Sequence, residues 1–262
     1  DHLADGTPAR LQLIVDASNP NSGATMGTYA TAVLAGWQAT LPGMARPVRI
    51  DQQVRMRFNP TLESVNLFVP GLIALILTLV SAMMTAISLS REKERGTMEI
   101  LLVSPLRPWQ IIVGKVAPYL LLAFANVVTA LLAAWLIFDV PFRGSLVLLL
   151  AASTLYALVC LAIGVFVAAR TSSQLTAMMG ALLGTMLPST LLSGLIFPIA
   201  SLPLPLQVVS NVIPARWFIV VVRGVMLKGA GVVHVWHELA ILTAMLLVLL
   251  VAATRSFKAR LA

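Results

Sequence analysis

A single cysteine, Cys160, stands among 262 residues, inside an apolar run. That scarcity excludes a disulfide framework and a Cys-based metal cluster, and it leaves the redox compartment undetermined. Charge is scarce too: 11% of the residues are charged while 59% are hydrophobic, with a mean hydropathy of +0.93. One water-exposed globule cannot hide that much apolar surface, so the chain belongs in a membrane. Acidic side chains are the scarcer sign, 10 against 18 basic ones. The basic residues sit at the ends of apolar runs instead of forming a stripe interleaved with aromatics, which excludes nucleic acid as a partner. No phosphate loop of the form G-x-x-x-x-G-K-[ST] occurs, and no Ser/His/Asp set stands at a recognisable spacing. The chain opens at Asp1 without a basic n-region or apolar h-region. No signal peptide is visible, and part of a longer protein is expected.

What is present in quantity is apolar runs of spanning length, for which roughly 20 residues are needed. Five qualify: Leu67–Leu89, Val116–Phe138, Ser145–Ala168, Leu175–Phe197 and Leu239–Thr254, the last short unless it begins nearer Val232. Pro118 and Pro188 inside them are tolerable where packed neighbours re-satisfy freed carbonyls. Basic residues then set the orientation. Arg91, Lys93, Arg95, Arg107 and Lys115 separate the first two spans, Arg170 the third and fourth, and Arg255, Lys258 and Arg260 follow the fifth. These sites share one side, expected to be the cytoplasm, with the C-terminus there and residues 1–66 outside. The outer side receives a weaker cluster, Arg143, Arg216, Arg223 and Lys228.

The outer segment, 1–66, reads as part of a small α/β domain. Leu11, Leu13 and Val15 alternate like one face of a strand, "ATMGTYATAVLAGWQAT" suits a helix, and Val48, Ile50, Val54, Met56 and Phe58 alternate again. Asp16 and Asn19 serve as turn formers in preference to a ligand site. The fold class expected is therefore an all-α polytopic membrane domain over 67–262, with five spans visible, behind a partial α/β external domain.

Between the first two spans lies "SLSREKERGTMEILLVSPLRP". Its charges alternate in sign at helical spacings, Arg91 with Glu94, Glu92 with Arg95 and Arg95 with Glu99, so the first span is expected to continue as a solvated helix. Gly96 then loosens the chain. Thr97 suits an N-cap, Glu99 the first turn, and Met98, Leu101 and Leu102 share an apolar face before Pro105 stops the element near 104. A short amphipathic surface helix near 97–104 is predicted, after which Pro108 restarts a helix and Trp109 and Lys115 suit the membrane interface.

That stretch, extended to "REKERGTMEILLVSPLRPWQIIVGK", is preceded by "NPTLESVNLFVPGLIALIL" and followed by "LLSGLIFPIASLPLPLQVVSNVIPARWFIVVVRGVMLKG". In order and spacing the three resemble the permease of an ABC type-2 exporter of the drug-efflux kind, and the likeness extends to "LQLIVDASNPNSG". The resemblance implies six spans in the full protein, the first span and part of the external domain being absent here. It implies that Arg95, Gly96, Thr97, Glu99, Leu101, Leu102 and Pro105 belong to a coupling helix docking on a separate cytoplasmic ABC ATPase. That ATPase carries ATP and Mg, and this chain binds no cofactor. A second permease protomer, identical or paralogous, a periplasmic adaptor protein and membrane lipids are the other implied partners, in a bacterial inner membrane. The segment near 198–230, with Pro198, Pro203, Pro214, Arg216 and Arg223, is implied to be re-entrant near the external mouth.

Three further features carry two readings each. Gly180 and Gly184 form a small-xxx-small pair that admits a helix of the same protomer or of a second one. Arg216, Arg223 and Lys228 attract anionic headgroups or substrate, or else anchor the interface. "HVWHE", with His234, His237 and Glu238, reads as an interfacial belt more simply than as a metal site. The competing function is an integral membrane enzyme acting on lipid-linked substrates. It calls for paired carboxylates or a His/Asp pair in or beside the spans, which hold almost none, and Asp139 is a lone turn acid.

Overall fold

The computed structural model describes residues 10–16, 20–40, 51–57, 63–97 and 108–258. The chain divides into two compact units, 1–67 and 68–262. The first holds β1 (Arg10–Asp16), α1 (Pro20–Ala39) and β2 (Asp51–Arg57). The strands run parallel, with Arg10 opposite Asp51 and Asp16 opposite Arg57. Parallel neighbours require a crossover of a dozen or more residues, and α1 supplies it. The register sets Leu13 beside Val54 and Val15 beside Met56. Val15 is buried while Ile14, pointing the other way, is 55% exposed. Asn19, Val48, Ile50 and Phe58 lie outside the described residues.

The second unit is helical. It contains α2 (Val65–Glu94), α3 (Pro108–Leu136), α4 (Leu146–Arg170), α5 (Gln174–Leu192), a 3-10 turn at Ile199–Ser201, α6 (Leu204–Ser210), α7 (Pro214–Lys228) and α8 (Val232–Lys258). Among the described residues five helices are long and apolar enough to cross a membrane: α2, α3, α4, α5 and α8. They correspond to the five expected spans. The last helix begins at Val232, the alternative start that gives it spanning length, and His234, His237 and Glu238 lower the hydropathy there without breaking the helix. The fourth ends at Leu192, not Phe197, because Gly194 turns left-handed at φ +82°.

Burial identifies the centre. In α2 and α4, 56% of the most apolar stretch is buried, against 22% in α3 and α5 and 11% in α8. Helix α4 packs on α3, α5, α7 and α8. It also crosses α2 at Gly164, where an added Cβ would lie 2.9 Å from the Thr85 Cβ and closer still to the Ala82 carbonyl oxygen. Small residues let two backbones approach in a medium where exclusion of water supplies no drive between helices. The outer helices turn large apolar side chains outward, Leu121 and Val248 among them, as lipid contact requires. Ends are capped locally. Ser145 accepts from the Leu148 N–H, and Ser173 and Thr176 form a reciprocal capping box at the start of α5. The α3–α4 turn carries Asp139 at φ +52° and is tied to α7 by the Arg143 N–H donating to the Met226 carbonyl at 3.0 Å.

Candidate functional site

The charged residues after the first span continue α2 to Glu94, as expected, and the side-chain partners seen among the described residues lie on other helices. Lys115 of α3 pairs with Glu92. Lys93 donates to the carbonyls of Ala168 and, at 3.2 Å, Thr171, where α4 ends. Glu94 accepts the Gln174 backbone N–H at 2.7 Å on one oxygen and the Gln174 side-chain amide on the other. Arg91 Nε donates to Gln174 Oε1 at 3.2 Å. These contacts lace the exposed end of α2 to α3, α4 and α5, which sequence separations of 23 to 83 residues conceal. Exposed ion pairs are individually worth about 0–1 kcal/mol, so the geometry matters more than the sum.

Gly96 lies at φ +70° with nothing near its missing Cβ, so its role is conformational: it ends α2 in the left-handed cap a side chain would strain. The Arg95 N–H donates to the Arg91 carbonyl and the Gly96 N–H to that of Lys93, at 3.1 and 3.2 Å. Thr97 returns its hydroxyl to the Glu92 carbonyl at 3.3 Å. Arg95 itself is exposed. Glu99, Leu101, Leu102 and Pro105 lie outside the described residues.

Further along α2 is a cavity of about 300 Å³. Thr78 of α2, Tyr156 and Cys160 of α4, and Gly184, Thr185, Pro188 and Ser189 of α5 line it. Val209, Val212, Ile213 and Pro214, where α6 meets α7, close it. Every lining side chain is uncharged. Thr78 hydrogen-bonds Tyr156 and donates to the Ala74 carbonyl at 2.7 Å, while Thr185 donates to that of Ala181 at 2.7 Å. These hydroxyls keep lone pairs for an entering donor. Pro188 has no N–H, so the Gly184 carbonyl beside it loses its backbone donor four residues on. The Tyr156 ring stacks on Phe218 at 4.1 Å and 6°, fixing its orientation. Sequence reading missed this group: Cys160 served there only to exclude disulfides and a Cys-based metal cluster, and the span hydroxyls were assigned no site. No spacing motif could have found residues 78, 156 and 185 together.

Helices α6 and α7 form a pair bent by 80°. Each proline expected to interrupt this region begins an element. Pro198 precedes the 3-10 turn, Pro203 precedes α6 and Pro214 opens α7, where a missing N–H costs nothing. Arg216 grips the bend, donating to the Gln207 carbonyl at 3.1 Å and to the Ser210 hydroxyl, with Trp217 under its guanidinium at 5.0 Å. Arg223, largely buried, donates to the Gly194 carbonyl at 3.1 Å, tying α7 to the end of α5. Both guanidiniums therefore have an internal use.

In the small-xxx-small pair, a Cβ on Gly180 would meet only Val167, at 3.3 Å, and one on Gly184 would meet nothing within 4 Å. His237 packs edge-on to Trp217 and Trp236, and among the described residues no cluster of three or more potential metal ligands occurs.

The family model for ABC-2 family transporter protein matches residues 1–255. Two relatives in Escherichia coli K12 are each 35% identical. The probable multidrug ABC transporter permease YbhS aligns over 84% of this chain and 59% of its own length, and the probable multidrug ABC transporter permease YbhR over 88% and 63%. The inner membrane transport permease YhhJ of the same strain is 28% identical over 93% of this chain and 66% of its own length. The chain thus spans about three-fifths of the length of the first two relatives. No solved structure matches.

Proposed function

The chain belongs to the ABC-2 transporter family, and from that premise we propose that it is the permease part of an ATP-driven exporter. It moves a hydrophobic, amphipathic or polymeric substrate out of the cytoplasm or inner leaflet by alternating access. Hydrolysis of Mg-bound ATP takes place on a separate ABC ATPase, two permease protomers enclose the path, and an adaptor protein stands outside. The membrane is the bacterial inner membrane, with residues 1–66 and the bent pair on its outer side. The relatives named as multidrug permeases support the substrate class.

One observation carries the reading. A single helix, α2, lines the cavity at Thr78 and runs without a break to the Glu92–Glu94 turn, from which the chain departs toward 98–107. Movement of that segment by an ATPase therefore reaches the cavity through one rigid element, as a coupled change between two states requires. An uncharged lining suits apolar cargo and makes a dedicated ion path unfavourable.

The test is Glu99→Lys and Leu101→Asp in the full-length permease. A desolvated interface charge costs roughly 2–5 kcal/mol to lose, whereas an exposed pair is worth about 0–1, so docking and surface exposure give different results. Co-purification of the ATPase and substrate-stimulated hydrolysis are expected to fall at equal membrane abundance. Wild-type levels of both, in both variants, would show an ordinary surface helix.

A further inference from the structure

One turn of α2 holds both ends of the α4–α5 connection, with the sign of each side chain matched to the helix it meets. The Lys93 ammonium lies on the Ala168 and Thr171 carbonyls, at the end of α4 where the partial charge is negative. The Glu94 carboxylate takes the Gln174 N–H at 2.7 Å, at the start of α5 where it is positive, and Arg91 holds the same glutamine from the other side at 3.2 Å. The chain leaves for 98–107 just beyond, through the left-handed Gly96. Helix α5 is otherwise held by Ala177 and Ala181 packed on Ala86 and Val167 and, beyond its far end, by Arg223 on Gly194, while 22% of its apolar stretch is buried. It also supplies one wall of the cavity.

We propose that Glu94 is a positioning residue for the transport cycle: it carries displacement of the 98–107 segment into α5, so that the cavity wall moves with the ATPase. The inference rests on the permease reading above and adds a second route to it. At Gly164 α4 packs directly on the α2 backbone, where an added Cβ would meet the Ala82 carbonyl, so α4 moves with α2. Displacement of α5 meets open space at Gly184. Of the two helices the Lys93–Glu94 turn grips, α5 is the one free to respond.

The test uses the full-length permease with its ATPase in lipid nanodiscs, carrying Gly184→Cys as reporter in a Cys160→Ala background. The rate of N-ethylmaleimide modification is measured without nucleotide and with ATP plus vanadate. A difference of at least threefold is expected with Glu94 in place. It should vanish in Glu94→Ala and in Gln174→Ala while the ATPase still co-purifies, the double variant should be no worse than either, and Glu94→Gln, which keeps one acceptor, should retain part of it. An undiminished difference in Glu94→Ala overturns the proposal, and so does no difference with Glu94 in place. Loss of the ATPase from Glu94→Ala alone would move Glu94 into the docking surface and overturn its positioning role. A wild-type permease that binds no ATPase removes the permease reading itself.

Discussion

Replacing Gly164 by alanine places a methyl carbon 2.9 Å from the Thr85 Cβ and 3.1 Å from the Ala82 carbonyl carbon, with the carbonyl oxygen nearer still. Backbone cannot rotate aside as a flexible side chain can, so α2 and α4 must separate. Overpacking of this kind costs roughly 1–3 kcal/mol, and contact with main-chain atoms puts this site at the upper end. Against it stands the gain from removing a glycine from a helix interior, about 1 kcal/mol. The net expectation is destabilisation by about 1–2 kcal/mol, a factor of roughly five to thirty in the folding equilibrium. Gly184→Ala is the matched control, since nothing lies within 4 Å of its new carbon. It should keep the propensity gain and stabilise by about 0.5–1 kcal/mol. Both are read from the midpoint of unfolding in mixed detergent micelles, followed by far-ultraviolet circular dichroism. Equal stability of Gly164→Ala and the parent, or an equal loss in Gly184→Ala, would refute the claim that the α2–α4 crossing is set by backbone contact.

Tyr156→Phe removes the hydroxyl shared with Thr78 and keeps the ring on Phe218. In the same titration it should cost about 0.6–2 kcal/mol, the range for hydrogen bonds between membrane helices, and less in a Thr78→Val background, where only the 3.4 Å contact of the Tyr156 hydroxyl with the Ala74 carbonyl is left to lose. Orientation is tested with single cysteines in a Cys160→Ala background. A membrane-impermeant maleimide applied to sealed cells should label Thr25→Cys, on exposed α1, and not Arg95→Cys, and labelling of position 95 from outside would invert the topology.

The spans were legible because twenty-residue apolar runs have no other stable home, and helix starts were legible where chemistry is local, as at Pro108 and Ser145. The end of α5 was not, because Ile196 and Phe197 are as apolar as the helix before them and only the left-handed Gly194 stops it. The charge run was misread for a related reason. Spacing shows that Arg91 and Glu94 are within reach of each other, but not that Gln174 lies nearer to both. Sequence left Arg216 and Arg223 open between anion binding and interface anchoring, and could not show that the carbonyls of Gln207 and Gly194 accept from them. The cavity draws on four separated stretches, and its hydroxyls follow no pattern along the chain.

Helix α5 is 19 residues long, about 28 Å at 1.5 Å per residue, whereas the hydrocarbon of a bilayer is about 30 Å thick. Helix α2 runs 30 residues, about 45 Å. Because Glu94 and Gln174 hold one end of each at the same level, the shortfall of α5 is delivered to its other end, where Arg223 holds Gly194. Hydrophobic mismatch costs fractions of a kcal/mol per Å. Longer acyl chains therefore pull on the helix that walls the cavity and shorter ones relax it, with no lipid bound at any particular site.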